Sequence, residues 1–360
     1  MGTLDSEALV STLDTENMLQ SIQDLPDQIE AAWEHAKTFA LPTHYFQVSH
    51  VVVLGLGASA VSGYVVQALA DLISRRPVSV VSTPILPAYV GNQTLVIASS
   101  YSGNTPEVVA AFQEAGERGA KLVGISTGGT VAALCRKYRA PHVAIQYGAQ
   151  ARAALGYLII HLVSILERLS IVEIPQVETV MQTLSLALRV ASDRYRPQVP
   201  TSQNPAKQLA EALSGRLPLI VSSRMLRSVA RRWQYSLAQN AHILAIADEV
   251  HASLITTFEG LSFPAPVIPI LSVVALRSAN DSPATASAHN LLQVLAKRRK
   301  IAAHEVVLMS SHNLLDELLE LMLLGDYTSY YAALLGGVDP SATPHMVELE
   351  QLRAEGQRVI

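Results

Sequence analysis

The chain has 360 residues, one cysteine and a formal charge of −4, with 49% of its residues hydrophobic and 16% charged. That length allows about two domains, the charge excludes a nucleic-acid partner that would need a basic face, and the lone Cys135 excludes a disulfide framework or a cysteine-based metal site. No run reaches the ~20 apolar residues of a membrane span and no basic leader opens the chain, so no membrane partner and a cytoplasmic setting are expected.

Residues 5–40 carry apolar positions at helical spacing, with Pro26 interrupting near the middle. A βαβ series follows. It has a buried strand at 51–54, a glycine-rich turn at 55–60, a helix at 61–74, and strands at 78–81 and 94–98. A polar turn at 99–105 leads to a helix at 106–117, a strand at 122–125, a helix at 131–138 and a fifth strand near 142–145. Residues 151–195 read as helices bridging the halves, and the stretch from Pro197 to Pro205 is the linker candidate. The second half is expected to hold a helix, a strand at 217–221, a long helix at 226–240, strands near 267–271 and 305–308, and terminal helices. Strands alternating with helices at this spacing predict an α/β fold with doubly wound parallel sheets. The expected domains are 1–195 and 196–360, alike in architecture but without a residue-level repeat. The run Lys297-Arg298-Arg299-Lys300 fits the last turn of a helix, where cations complement the macrodipole.

Two turns carry chemistry. Gly55-Leu56-Gly57-Ala58-Ser59-Ala60 nearly matches the dinucleotide fingerprint. A nicotinamide site would also want an acid at the end of the second strand to hold the ribose, and that strand ends Ser82-Thr83. A tight strand–helix turn accounts for the glycines. Ser59 adds a hydroxyl beside the free N–H groups of a helix start, which suits a phosphate. Ser99-Ser100-Tyr101-Ser102-Gly103-Asn104-Thr105-Pro106-Glu107 is the stronger element. Pro106 suits the first position of a helix, and Gly103 lets the backbone come close. Ser100, Ser102 and Thr105 offer three hydroxyls at a helix N-terminus, where ordinary capping would ask for one.

Ser100 to Thr105 resembles the phosphate loop of sugar isomerase (SIS) domains. Leu86-Pro87-Ala88-Tyr89-Val90-Gly91, Arg152-Ala153-Ala154-Leu155-Gly156-Tyr157 and Arg232-Trp233 resemble the bifunctional phosphoglucose/phosphomannose isomerases. So do Asn240-Ala241, Gly325-Asp326-Tyr327-Thr328-Ser329-Tyr330 and Gly337-Val338-Asp339-Pro340. The resemblance implies two SIS domains in tandem with flanking helices, no cofactor, and a homodimer acting on a sugar 6-phosphate. It implies phosphate binding by Gly57, Ser59, Ser100, Ser102 and Thr105. Arg152 matches the arginine that stabilises an enediolate, and His251 the histidine that opens the sugar ring across the dimer.

Three places depart from that family, and at one of them His251 is followed by Ala252-Ser253 where the family usually shows asparagine and glutamate. Its base is the glutamate of a Glu-Asn-Ala-Lys segment, where this chain reads Gln239-Asn240-Ala241-His242, and its C-terminal lysine has Arg353 as the nearest cation here. An amide takes no proton at neutral pH, and losing a general base typically costs ~10²–10⁴ in rate. Asp248, Glu249 and His242 are candidate replacements. The expected function is therefore an aldose–ketose isomerase interconverting glucose or mannose 6-phosphate with fructose 6-phosphate, weakened at Gln239. The alternative is a noncatalytic phosphosugar-binding or sensing protein. The eleven histidines show no metal-binding spacing, and no metal is expected.

Overall fold

The structure, a computed structural model, describes residues 3–6, 12–261, 264–308 and 313–356. Two helices, α1 (Met18–Gln23) and α2 (Leu25–Thr38), precede the first sheet. The helical stretch is interrupted near Pro26 as expected: α1 ends at Gln23 and α2 starts at Leu25, with Pro26 in its first turn, where its missing N–H costs nothing. The first half then runs β1 (His50–Leu54), α3 (Ala58–Ile73), β2 (Val78–Val81), β3 (Thr94–Ser99), α4 (Pro106–Glu117), β4 (Lys121–Ser126), α5 (Gly129–Tyr138) and β5 (His142–Ala144). Helices α6 (Leu155–Arg168), α7 (Val177–Tyr195) and α8 (Pro205–Leu213) lead to the second half. There follow β6 (Leu217–Ser222), α9 (Arg227–Ala241), β7 (Ile246–Glu249), α10 (Val250–Ile255), α11 (Thr257–Gly260), β8 (Leu271–Arg277), α12 (Pro283–Arg298), β9 (Ala302–Val307), α13 (Leu314–Leu335) and α14 (Pro344–Gly356).

Both sheets are parallel, ordered β2-β1-β3-β4-β5 and β7-β6-β8-β9. Strand side chains alternate between faces, and the cores divide on that alternation. Val51, Val53, Leu95 and Ile97 enter one cluster, while Val52, Leu54, Val96 and Ala98 enter another with Phe112 of α4 and Val131 of α5. In the second sheet Ile220, Val274 and Leu276 join the first cluster, while Leu219, Val273 and Ala275 pack with Leu292 of α12. One core is thus shared by the inner faces of both sheets, with α3, α6, α9 and α13 between them. This explains the apolar composition: α13 is buried along nearly its whole length, so it has no polar face to give to water.

Two expected strands shift and one strand was not expected. The strand expected near 267–271 is Leu271–Arg277, because Pro266 and Pro269 cannot donate to a ladder and 265–270 coils into a 3₁₀ turn instead. The strand near 305–308 begins earlier, at Ala302. Edge strand β7 went unread, its four residues including exposed Ile246 and two acids. The proline-rich stretch is tied down: buried Asn204 caps α8, and the fully buried Lys207 ammonium meets Asp5 Oδ1 at 3.0 Å and the Pro197 carbonyl at 2.7 Å.

Candidate active site

A parallel sheet whose order reverses about one strand opens a crevice at the C-terminal ends of the strands on either side of the reversal. In the first sheet those strands are β1 and β3, and the two expected phosphate turns leave their C-terminal ends. After β1, Gly55 lies so close to α3 that a Cβ would sit 2.9 Å from the Ser59 backbone, and Gly57 takes φ 58° just before the helix. Ser59 stands in the first turn of α3. Ser62 ties that helix to the neighbouring strand, its Oγ 3.1 Å from Ser99 Oγ and donating to the Ser59 carbonyl at 2.7 Å.

After β3, Ser100 is buried, Ser102 is exposed and Thr105 lies between these extremes. Thr105 occupies the N-cap of α4, yet its hydroxyl makes no cap bond and lies 3.1 Å from Ser100 Oγ. Ser102 Oγ accepts only the weak 3.2 Å bond from the Asn104 amide. None of the three hydroxyls caps α4, which removes the ordinary explanation for them. The loop's shape is held from α5 instead. Asn104 Oδ1 accepts from the Thr130 amide and hydroxyl at 2.9 and 3.0 Å, and the Val131 amide donates to the Gly103 carbonyl. Gly103, at φ 69°, passes so near that an added Cβ would lie 2.1 Å from the Gly128 carbonyl oxygen.

Arg152 stands in a short 3₁₀ helix that packs against α3. Its Nε donates to Asn240 Oδ1 at 3.0 Å, and its Nη2 to the carbonyls of Pro340 and Ser341 at 3.0 and 2.9 Å. Asn240 in turn donates to Ser329 on α13 at 2.9 Å. Burial, with the Arg232 charge nearby, pushes the Arg152 pKa down to about 10, so the guanidinium stays charged at neutral pH. Arg232 is itself spent on a buried two-pronged pair with Asp326, both contacts 2.8 Å.

Gln239 precedes Asn240 and is half-buried, its Nε2 4.0 Å from Met346 Sδ of α14. Farther along α14, Arg353 donates to Glu107 Oε1 at 3.2 Å, in the first turn of α4. Met346 and Arg353 are separated by two helical turns, about 10 Å. Helix α14 therefore spans from the Gln239 end of α9 to the start of α4, placing Gln239, Arg353 and the serine loop around one mouth.

His251 is not brought there. It is exposed on α10, which packs on α12, just after Glu249, whose partner Arg227 opens α9 twelve positions and about 18 Å along that helix from Gln239. Glu249 stands 3.8 Å from Arg227 at that far end. Asp248 is committed to the Glu249 amide and the Thr257 hydroxyl at 2.8 and 2.7 Å. His242 Nε2 lies 3.1 Å from the Ala342 carbonyl. Within one chain Asp248 and Glu249 lie away from Gln239, whereas His242 stays at the Gln239 end of α9, next to the Ser341 carbonyl that holds Arg152. Sequence reasoning assigned no role to Glu107 or Asn240, although both lay inside quoted motifs. The carbonyls that hold Arg152 lie in and just beyond the Gly337 to Pro340 stretch, and main-chain acceptors leave no residue-type signal. Among the described residues no group of His, Cys, Asp and Glu could hold a metal, and no helix is long and apolar enough to cross a membrane.

Comparison with known proteins shows the family. Residues 44–155 match the SIS domain model, and residues 202–352 match the model of the bacterial phospho-glucose isomerase C-terminal SIS domain. A bifunctional phosphoglucose/phosphomannose isomerase of Caldicellulosiruptor bescii is 32% identical over 343 residues, covering 94% of this chain and 99% of that protein. The chain belongs to the bifunctional phosphoglucose/phosphomannose isomerase family. Solved structures agree in fold. A glucose-6-phosphate isomerase like protein from Thermus thermophilus superposes with TM-score 0.59 at 23% identity, over 95% of this chain and 99% of that one. The C-terminal domain of glucosamine-fructose-6-phosphate aminotransferase from Francisella tularensis gives TM-score 0.72 at 15% identity, over 90% and 98%. The α/β architecture of two SIS domains with flanking helices expected from the sequence is therefore the observed one.

Proposed function

We propose that the protein is a phosphosugar aldose–ketose isomerase of the cytoplasm, acting as a homodimer on glucose or mannose 6-phosphate and fructose 6-phosphate. The observation that carries this is the set of hydroxyls at Ser100, Ser102 and Thr105, free of capping duty at the start of α4, with α3 beginning alongside. Phosphate takes hydroxyl and amide donors from that loop and from Gly57 and Ser59. The sugar then extends towards Arg152 and Gln239. The division at residues 195 and 196 assigns the phosphate loop to the first domain and Gln239, His251 and Arg353 to the second.

Isomerisation moves one proton between C1 and C2 and another between their oxygens, so it is redox-neutral within the substrate and asks for no cofactor. The intermediate carries charge on an enediolate oxygen, opposite which Arg152 offers a guanidinium already oriented by Asn240 and two carbonyls. His251 of a second copy would open the ring, since this chain's own imidazole lies far from its own loop. Arg353 approaches the sugar from α14. Gln239 can orient a hydroxyl but not carry the carbon-bound proton, which makes turnover slow.

The same amide favours a second reading, a phosphosugar binder without turnover. The loop assignment is checked by titrating fructose 6-phosphate into the native protein and the Ser102→Ala/Thr105→Ala double variant. We expect affinity to fall by at least about tenfold on losing these hydroxyl donors. Unchanged affinity in a folded variant would place the phosphate elsewhere.

A further inference from the structure

The turns assigned to the phosphate bring no positive charge of their own. Neither Gly55 to Ala60 nor Ser99 to Glu107 contains a lysine or arginine, and Arg152 is committed to Asn240 and two carbonyls. The serine loop even ends on a negative charge. Glu107 is the second residue of α4, two beyond Thr105 and about 3 Å along the helix axis. A carboxylate there gains from the helix dipole, but it repels a phosphate drawn to the same amides. A cation between the two anions would relieve both.

Arg353 reaches that place from α14. Its Nη2 donates to Glu107 Oε1 at 3.2 Å, the one contact of this side chain among the described residues. The pairing is single-pronged, since Glu107 Oε2 is buried and has no partner. Arg232, by contrast, holds both oxygens of Asp326 at 2.8 Å. A guanidinium has five N–H donors in a planar fork, so Arg353 keeps most of its donors for a second anion. An ion pair this exposed holds little by itself. Met346, Val347, Leu349 and Leu352 are all exposed on α14, so apolar burial does little to fix that helix either.

We propose that Arg353 is a phosphate ligand of the serine loop, held beside it by Glu107, rather than a contact of the sugar hydroxyls. This rests on the reading of the loop as the phosphate site. Without ligand, Glu107 is the resting partner of Arg353. When a phosphosugar arrives, the guanidinium bridges carboxylate and phosphate and ties α14 across the mouth. Glu107 is a positioning residue that acts through Arg353. The phosphate is remote from C1 and C2 and unchanged by the reaction, so this contact favours substrate and transition state alike.

Titration of the full chain with fructose 6-phosphate and, separately, inorganic phosphate tests this. Arg353→Gln should weaken both by at least about tenfold. Loss of affinity for fructose 6-phosphate alone would put Arg353 on the sugar, and no loss for either would leave it without a role in binding; each result overturns the proposal. The same substitution in the Gln239→Glu background should raise KM with kcat nearly unchanged, and a fall in kcat at unchanged KM would contradict it. Hydrogen exchange reads Glu107 separately. Amides of α14 should exchange faster in ligand-free Glu107→Gln and Arg353→Gln than in the native chain. Saturating fructose 6-phosphate should slow them in the native chain and in Glu107→Gln but not in Arg353→Gln; equal slowing in all three would overturn the bridge. If Ser102→Ala/Thr105→Ala binds both ligands normally while Arg353→Gln does not, the loop reading fails, and with it a phosphate shared by the loop and Arg353. If only the serine-loop variant loses affinity, the loop reading stands and this proposal alone fails.

Discussion

At Gln239 an amide stands beside Asn240, whose own amide is fully used by Arg152 and Ser329. The neighbouring guanidinium is fixed and charged, so a carboxylate at 239 would be held ionised next to a ready electrophile. Gln239→Glu changes the side-chain shape little and its contact with Met346 is not one a core depends on. We expect kcat to rise by about 10² or more with KM nearly unchanged, measured by steady-state kinetics. A different residue sets the loop itself. Gly103→Ala would push a Cβ to 2.1 Å from the Gly128 carbonyl at a positive φ, so the loop must open. Fructose 6-phosphate binding should fall by at least about tenfold while the chain stays folded, as titration and thermal melting would show. The sequence made Gly103 legible as a place of close approach but not what approaches. That neighbour comes from the next strand–helix turn, an approach only the tertiary fold defines.

Among the elements, those with apolar runs and strong punctuation were readable, and short or proline-crowded ones were not. Pro106 and the hydroxyls before it marked the start of α4 to the residue, and Lys297 and Arg298 fall in the last turn of α12 while Arg299 caps it and Lys300 lies beyond. By contrast β7 has four residues on an edge, too few for a period to emerge, and Pro266 and Pro269 sit where apolar composition alone suggested a strand. Pro197 to Pro205 reads as a linker from composition, because the buried Lys207 that anchors it lies outside the stretch and pairs with distant Asp5. That pair has a pH signature. Bonds from Lys207 and Thr201 lower the Asp5 pKa from 3.8 to about 2, so its stabilising effect is complete above the unfolded value and is lost as pH falls from about 4 to 2. Thermal melts should show native protein losing Tm over that window and Asp5→Asn, already lower at neutral pH, losing less.

The whole molecule has one core serving two sheets, and α13 is sealed inside it. Its proposed chemistry is nevertheless divided. Phosphate donors, Arg152 and Gln239 gather at one mouth, while His251 is exposed just after Glu249, whose partner Arg227 lies about 18 Å along α9 from Gln239. A closed two-fold dimer is the common way for a surface residue to complete a neighbour's site. Sedimentation at micromolar concentration should therefore give twice the chain mass, and a species of single-chain mass would contradict it. In the Gln239→Glu background, mixing Arg152→Ala and His251→Ala chains should restore activity that neither has alone, because one mixed site keeps both groups.

The account stands most directly on turnover by the native chain, read as fructose 6-phosphate formed from saturating glucose 6-phosphate and, separately, mannose 6-phosphate. It predicts measurable isomerisation of both substrates, roughly 10²-fold or more below the Gln239→Glu variant, with kcat/KM sharply reduced by Ser102→Ala/Thr105→Ala. Tight binding with no product from either substrate, in the native chain and in Gln239→Glu alike, would contradict it.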